Sequence, residues 1–266
     1  MNPRLSELNC FIRAETRKSF SLRAFLALVI LAAAMAVLAH RELRALAGQG
    51  AVNGVLFLAS GVLAGFGTLG HLALISLAAF LVSFEHSNGT LKEIRLIQPK
   101  PYALYVAKTL AVLVCATFFL LVITALAGWC ARAGRGHPEP GEIQAVVKST
   151  PLGLLAAAAI CLEYLTVLNL CLLGFCVALV CKSPAGATGL AACLFLIADT
   201  LKEVLGFENY VFWYHTNRIW GNLAAVADGL HLPWGPTLSR ALVIGLVSVC
   251  LFLVLFRLLV WRRVEH

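Results

Sequence analysis

The sequence predicts an all-helical membrane protein that crosses the bilayer six times. Hydrophobic residues make up 61% of its 266 residues and charged residues only 13%, and the mean hydropathy is +0.88. A soluble domain carries roughly 25% charged residues, and a water-soluble chain of this length could not bury so much apolar surface. The composition therefore excludes a disordered chain, a disulfide scaffold and a free nucleic-acid-binding module. Membrane lipid is an expected partner, and nucleic acid is not.

Six apolar runs have the length of about 20 residues that a helix needs to cross the hydrocarbon core. The predicted spans are 20–39, 52–84, 102–129, 152–181, 185–205 and 241–261. The second run is too long for one perpendicular span, so it must tilt, kink or protrude. It contains Gly61 and Gly65, and the fifth contains Gly186 and Gly189. Because small residues let helices approach closely in lipid, we expect at least one of these glycine pairs to contact another helix.

The distribution of charge predicts the orientation. With six spans, the side that holds both termini carries 13 of the 21 basic residues and a net charge of +8, whereas the other side carries +1. Loops rich in Lys and Arg stay in the cytoplasm. We therefore expect a multi-pass protein of the bacterial inner membrane with both termini cytoplasmic. A cleaved signal peptide ending near Ala39 is the alternative, but about 23 residues precede the first apolar run, which is long for a signal peptide.

Two further segments are predicted to lie at the membrane surface. Within residues 1–19, apolar residues recur at helical spacing (Leu5, Leu8, Phe11 and Ile12), which favours an amphipathic helix on the inner surface over a solvated basic anchor. The connection before the last span holds seven aromatic residues (Phe207, Tyr210, Phe212, Trp213, Tyr214, Trp220 and Trp234). Trp and Tyr favour the headgroup level. We expect residues 206–236 to form an outer re-entrant or interfacial segment, with an ordinary outer loop as the alternative.

The segment between the second and third spans predicts a short amphipathic helix over 87–97. Asn88 and Gly89 break the chain, Thr90 can cap a helix with Glu93 three residues later, and Pro99 ends it. Leu91, Ile94 and Ile97 share one face, with Lys92 and Arg95 beside it. Such a helix needs lipid or a protein partner to be stable, because isolated short helices are marginal in water.

Glu85, the Gly89-Thr90-Leu91 triplet, the helix that follows and Lys108 at the start of the next span resemble the permeases of ABC type-2 exporters. Ser87 stands where that pattern has a second acidic residue, and Pro99 comes one position later than usual. The resemblance implies that 87–97 is a coupling helix that docks on a separate ATPase subunit. It assigns the ATPase contact to Thr90, Leu91, Lys92, Ile94, Arg95 and Ile97, and support of the coupling to Glu85, Gly89 and Lys108.

The resemblance also implies an assembly of two permease subunits, identical or similar, with two ATPase subunits, which moves a substrate by alternating access. The sequence contains no GxxxxGK[ST] motif that could cradle ATP phosphates, so ATP and Mg²⁺ are expected only on the partner chain. We expect no cofactor, metal or catalytic residue in this chain. Its nine cysteines include no CxxC pair, and Cys171, Cys176 and Cys181 recur every five residues and share no helix face.

Polar residues inside the spans leave two other function classes open. Glu163 and Asn169 in the fourth span and His71 in the second are candidates for a substrate pathway, because an ionisable residue in a span is a functional hypothesis by default. Glu163 could alternatively serve a proton-coupled secondary transporter. The same residues, with Tyr164, could serve an intramembrane lipid-modifying enzyme. A structural Glu163 bonded to a neighbour, and a His71 that only packs, are the simpler interpretations.

Overall fold

The computed structural model describes residues 66–87, 101–133, 152–181, 183–227 and 234–265, together with the single residues 30, 34 and 37. Within these ranges every regular element is helical. The six α-helices are α1 (His71–Ser87), α2 (Pro101–Ala133), α3 (Leu152–Val180), α4 (Pro184–Val204), α5 (Phe212–Ala227) and α6 (Trp234–Glu265). A π-helical turn, Phe66–Gly70, precedes α1, and a 3₁₀ turn, Glu208–Tyr210, precedes α5.

Several predicted features lie outside the described residues. They are the interfacial helix at 1–19, the glycines Gly61 and Gly65, the first span except residues 30, 34 and 37, and all of the predicted coupling helix except Ser87. Glu85 lies in the last turn of α1, and its side chain is outside the described part.

Four described helices are long and apolar enough to cross a membrane. The qualifying stretches are Leu104–Val122, Leu154–Val180, Pro184–Val204 and Gly235–Val260, in α2, α3, α4 and α6. The apolar stretch of α1, His71–Phe84, is shorter. The chain is therefore a multi-pass membrane protein, all-helical throughout the part that the structure describes.

Helix α3 is the centre of the described fold, because it packs against each of the other five α-helices. About two thirds of its apolar span (67%) is buried inside the chain, compared with 17% for α4 and for α6. Exposed Leu and Val side chains cover the outer faces of α4 and α6, as expected for helices that face lipid. The core is thus built around one apolar helix. The few polar side chains buried in this core are the candidates for a functional site.

A close backbone contact joins α1 to α3 at Gly174. A Cβ atom added there would lie 2.9 Å from the carbonyl oxygen of Ile75 and 3.1 Å from the Cβ of Ala78. Both neighbours are fully buried. Without hydrophobic attraction between helices in lipid, such close backbone packing is a main source of helix association.

The predicted fifth-span glycine patch makes no comparable contact among the described residues. A Cβ added to Gly189 would meet nothing within 4 Å, and one added to Gly186 would meet only the Ser183 hydroxyl, which caps the start of α4. The packing role of the patch stays a prediction.

A tight turn reverses the chain after α4. Gly206 adopts a positive φ of 68°, and the Phe207 amide donates a hydrogen bond to the Lys202 carbonyl. This is the Schellman geometry that commonly ends a helix, and glycine adopts it without strain. The turn directs the chain through the 3₁₀ turn into α5, which packs against α3 and α6.

Candidate functional site

A cluster of buried polar side chains joins α1, α3 and α5. Its centre is Glu163, which is 2% exposed and lies about 16 Å from the start of α3 at 1.5 Å per residue. His71, fully buried at the start of α1, places its Nε2 2.8 Å from Glu163 Oε1. Trp220 of α5 donates its indole N–H to Glu163 Oε2 at 3.0 Å. We call Glu163, His71 and Trp220 the Glu163 cluster.

The hydrogen bonds of His71 fix how many protons the cluster holds. Its Nδ1 lies 2.8 Å from the carbonyl oxygen of Gly67 in the π-helical turn. A carbonyl oxygen can only accept, so Nδ1 carries a proton. The bond between Nε2 and Glu163 Oε1 then holds one further proton, on either atom. Both arrangements are neutral overall, which suits a membrane interior where a net charge is costly.

Local sequence explains how each member reaches the cluster. The π-helical turn ends at Gly70, directly before His71, and such turns often mark functional positions in helices. Trp220 belongs to the inner face of α5, which also buries Trp213 and Thr216 at helical spacing. Glu163 can therefore bond to both His71 and Trp220 only while α1 and α5 stay packed on α3.

Two further polar contacts hold α5 in place. Thr216 and Thr166 of α3 share a hydrogen bond of 2.7 Å between their hydroxyls. Trp213 donates its indole N–H to Asp199 Oδ1 of α4 at 2.8 Å, and Asp199 also pairs with Lys202. Helix α5 thus attaches to two helices through two indole N–H groups, each bonded to a carboxylate.

Asn169, also predicted for the substrate pathway, lies apart from the Glu163 cluster. Its side-chain NH₂ donates to the carbonyls of Leu165 and, across to α6, Gly245, at 3.0 and 3.1 Å. The Tyr164 hydroxyl bonds to Thr117 of α2 at 2.8 Å. The structure therefore brings His71 and Glu163 together and directs Asn169 and Tyr164 to other helices.

Lys108, predicted to support coupling, connects α2 to the end of α1. It is only 1% exposed, and its ammonium donates to the Leu81 carbonyl at 2.7 Å. Leu81 lies less than two turns before Ser87, where the predicted coupling segment begins. Lys108 thus ties together the two helices that flank the segment.

The family model described as "ABC-2 family transporter protein" matches residues 11–198, well over half of the chain. The chain belongs to the ABC-2 transporter family. It is therefore a membrane transport subunit, a permease of an ABC transporter, and the family implies an ATP-binding partner. No curated protein and no solved structure gives a match.

The matched range covers only part of the Glu163 cluster of this ABC-2 permease. It includes His71, Glu163, Lys108 and the whole segment 87–97, whereas α5 with Trp220 and α6 lie beyond it. Sequence reasoning singled out His71 and Glu163 but not their pairing. Trp220 was predicted only as an interfacial aromatic residue. Its seven-residue spacing from Trp213, which puts both rings on one helix face, was the available signal.

Proposed function

We propose that this ABC-2 permease is the membrane subunit of an exporter in which a separate ATPase drives alternating access. ATP and Mg²⁺ bind to the partner chain, and two permease subunits form the pathway. The family match carries the proposal, together with the sequence at 85–108 that resembles a coupling segment. Six spans, both termini in the cytoplasm and a bacterial inner-membrane location complete it.

The polar contacts inside the spans favour a permease over an intramembrane enzyme. An enzyme needs polar groups that can face a substrate. Here the side chains of Glu163 and His71 bond to each other, that of Tyr164 bonds to Thr117, and that of Asn169 reaches the Gly245 carbonyl. All these bonds join different segments of the chain, so they serve helix packing.

The coupling contact is tested by placing charge on the apolar face of the 87–97 helix. We expect Leu91→Asp with Ile94→Asp to abolish co-purification of the ATPase subunit, because two carboxylates would enter an apolar groove without partners. Affinity purification of the tagged permease from membranes that contain both chains measures the bound ATPase.

Leu96→Asp is the matched control, because residue 96 falls on the opposite side of the predicted helix. It should leave the ATPase bound. If the double variant retains the ATPase and also keeps hydrolysis coupled to transport, 87–97 is not the coupling element. Equal loss in the control would show that any acidic residue here disturbs the chain.

A further inference from the structure

We propose that α1 carries the ATP-driven movement of the coupling segment to α5, and that Glu163 links the two helices. This rests on the proposed function, since it needs an ATPase that moves residues 87–97. Glu163, His71 and Trp220 act as positioning residues.

Helix α1 connects the predicted coupling segment to the buried cluster. Its last residue, Ser87, is the first residue of that segment, and its first, His71, bonds to Glu163. At 1.5 Å per residue the two ends lie about 24 Å apart, most of the hydrocarbon thickness of about 30 Å. One helix therefore connects the predicted ATPase contact to the buried cluster.

Helix α1 cannot slide independently of α3. The Gly174 contact places backbone against backbone, and the α1 side chains that face inward are fully buried (Leu74, Ile75, Ala78, Ala79 and Val82). Close-packed cores have low compressibility and transmit displacement. Movement at Ser87 must then reach His71.

Glu163 bonds the start of α1 to α5. One of its oxygens shares a hydrogen bond with His71, and the other accepts from the Trp220 indole N–H. The Asn217 amide of α5 also lies 3.5 Å from the Gly67 carbonyl that holds His71. Displacement of His71 therefore changes the position of α5, the helix before the last span.

Two variants distinguish a mechanical link between α1 and α5 from proton transfer at Glu163. Trp220→Phe removes the indole N–H and keeps an aromatic ring, so it breaks the bond to α5. Glu163→Gln keeps the linkage, because its NH₂ can donate to an unprotonated His71 Nε2 while its carbonyl accepts from Trp220. The amide cannot exchange a proton as a carboxyl group does.

The test uses the complex of permease and ATPase in membranes, with the nine native cysteines replaced. Single cysteines at Ser87 and at Tyr210, which is 79% exposed in the turn before α5, report movement at the two ends of the route. The measurement is the maleimide labelling rate with and without Mg-ATP and vanadate. Trp213→Phe is the matched control, because it removes the other indole–carboxylate bond of α5, which does not involve α1.

We expect the nucleotide to change labelling at both positions in the unmodified complex, in Glu163→Gln and in Trp213→Phe. In Trp220→Phe the change should persist at position 87 and be partly lost at position 210, because the Asn217–Gly67 and Thr166–Thr216 contacts of α5 remain. A normal response at 210 in Trp220→Phe, its loss in Glu163→Gln, or equal loss in Trp213→Phe would each overturn the inference. Absence of any response at position 87 in the unmodified complex would instead contradict the proposed function on which it rests.

Discussion

Replacement of Glu163 by Leu should lower the free energy of unfolding by about 3 kcal/mol, the low end for removing one partner of a buried pair. The His71 Nε2 and the Trp220 indole N–H would both lose their bond to Glu163 inside the core. The low end applies because polar groups in an unfolded membrane protein also find partners in the bilayer. Unfolding in mixed detergent micelles measures the change.

The double variant Glu163→Leu with His71→Leu gives the matched comparison. Removal of both partners of a buried polar pair costs less than removal of one, because the His71 Nε2 is then no longer left without a partner, although the Trp220 indole N–H still is. We therefore expect the double variant to recover part of the stability that Glu163→Leu loses. If the two substitutions are simply additive, the 2.8 Å contact between His71 and Glu163 does not contribute to stability.

Replacement of Gly174 by Ala should destabilise the protein by about 1–3 kcal/mol, the usual cost of inserting a methyl group into a packed core. The new Cβ would lie 2.9 Å from the Ile75 carbonyl oxygen and 3.2 Å from the Ala79 amide nitrogen. These are backbone atoms of α1, which cannot rotate away as a side chain can. Helices α1 and α3 must therefore separate.

Gly189→Ala is the control for that substitution. It adds the same methyl group where nothing lies within 4 Å, and Ala favours the helix over Gly. Thermal unfolding of the two variants in detergent should show a lowered midpoint only for Gly174→Ala. Equal midpoints would contradict the close approach of α1 and α3.

The fold class follows from composition, but the pairing of helices does not. Runs of some 20 apolar residues can satisfy their backbone in a bilayer only as helices, so the all-helical, multi-pass architecture could be predicted. Helix α3 is apolar over most of its surface, and its polar residues Glu163, Thr166 and Asn169 do not indicate which helix packs beside each of them. His71 lies 92 residues from Glu163, and no local pattern joins them.

The sequence also does not predict which glycines pack closely against another helix. The sequence contains 21 glycines, and those in GxxxG-like spacing were the natural candidates for packing. A Cβ on Gly189 nevertheless meets nothing within 4 Å, whereas Gly174, which forms a small-xxx-small pair with Ala178, packs against the α1 backbone. Close packing depends on the partner surface, which spacing within one helix does not contain.

Photo-crosslinking from Leu91 tests most directly whether this permease docks on an ATPase through 87–97. A benzophenone amino acid replaces Leu91 in one variant and Tyr210 in a second, and each is irradiated in membranes that contain the complex. We predict an adduct between the permease and the ATP-binding chain from position 91 and none from position 210. No ATPase adduct from position 91, or an equal yield from both positions, would contradict the proposed coupling contact.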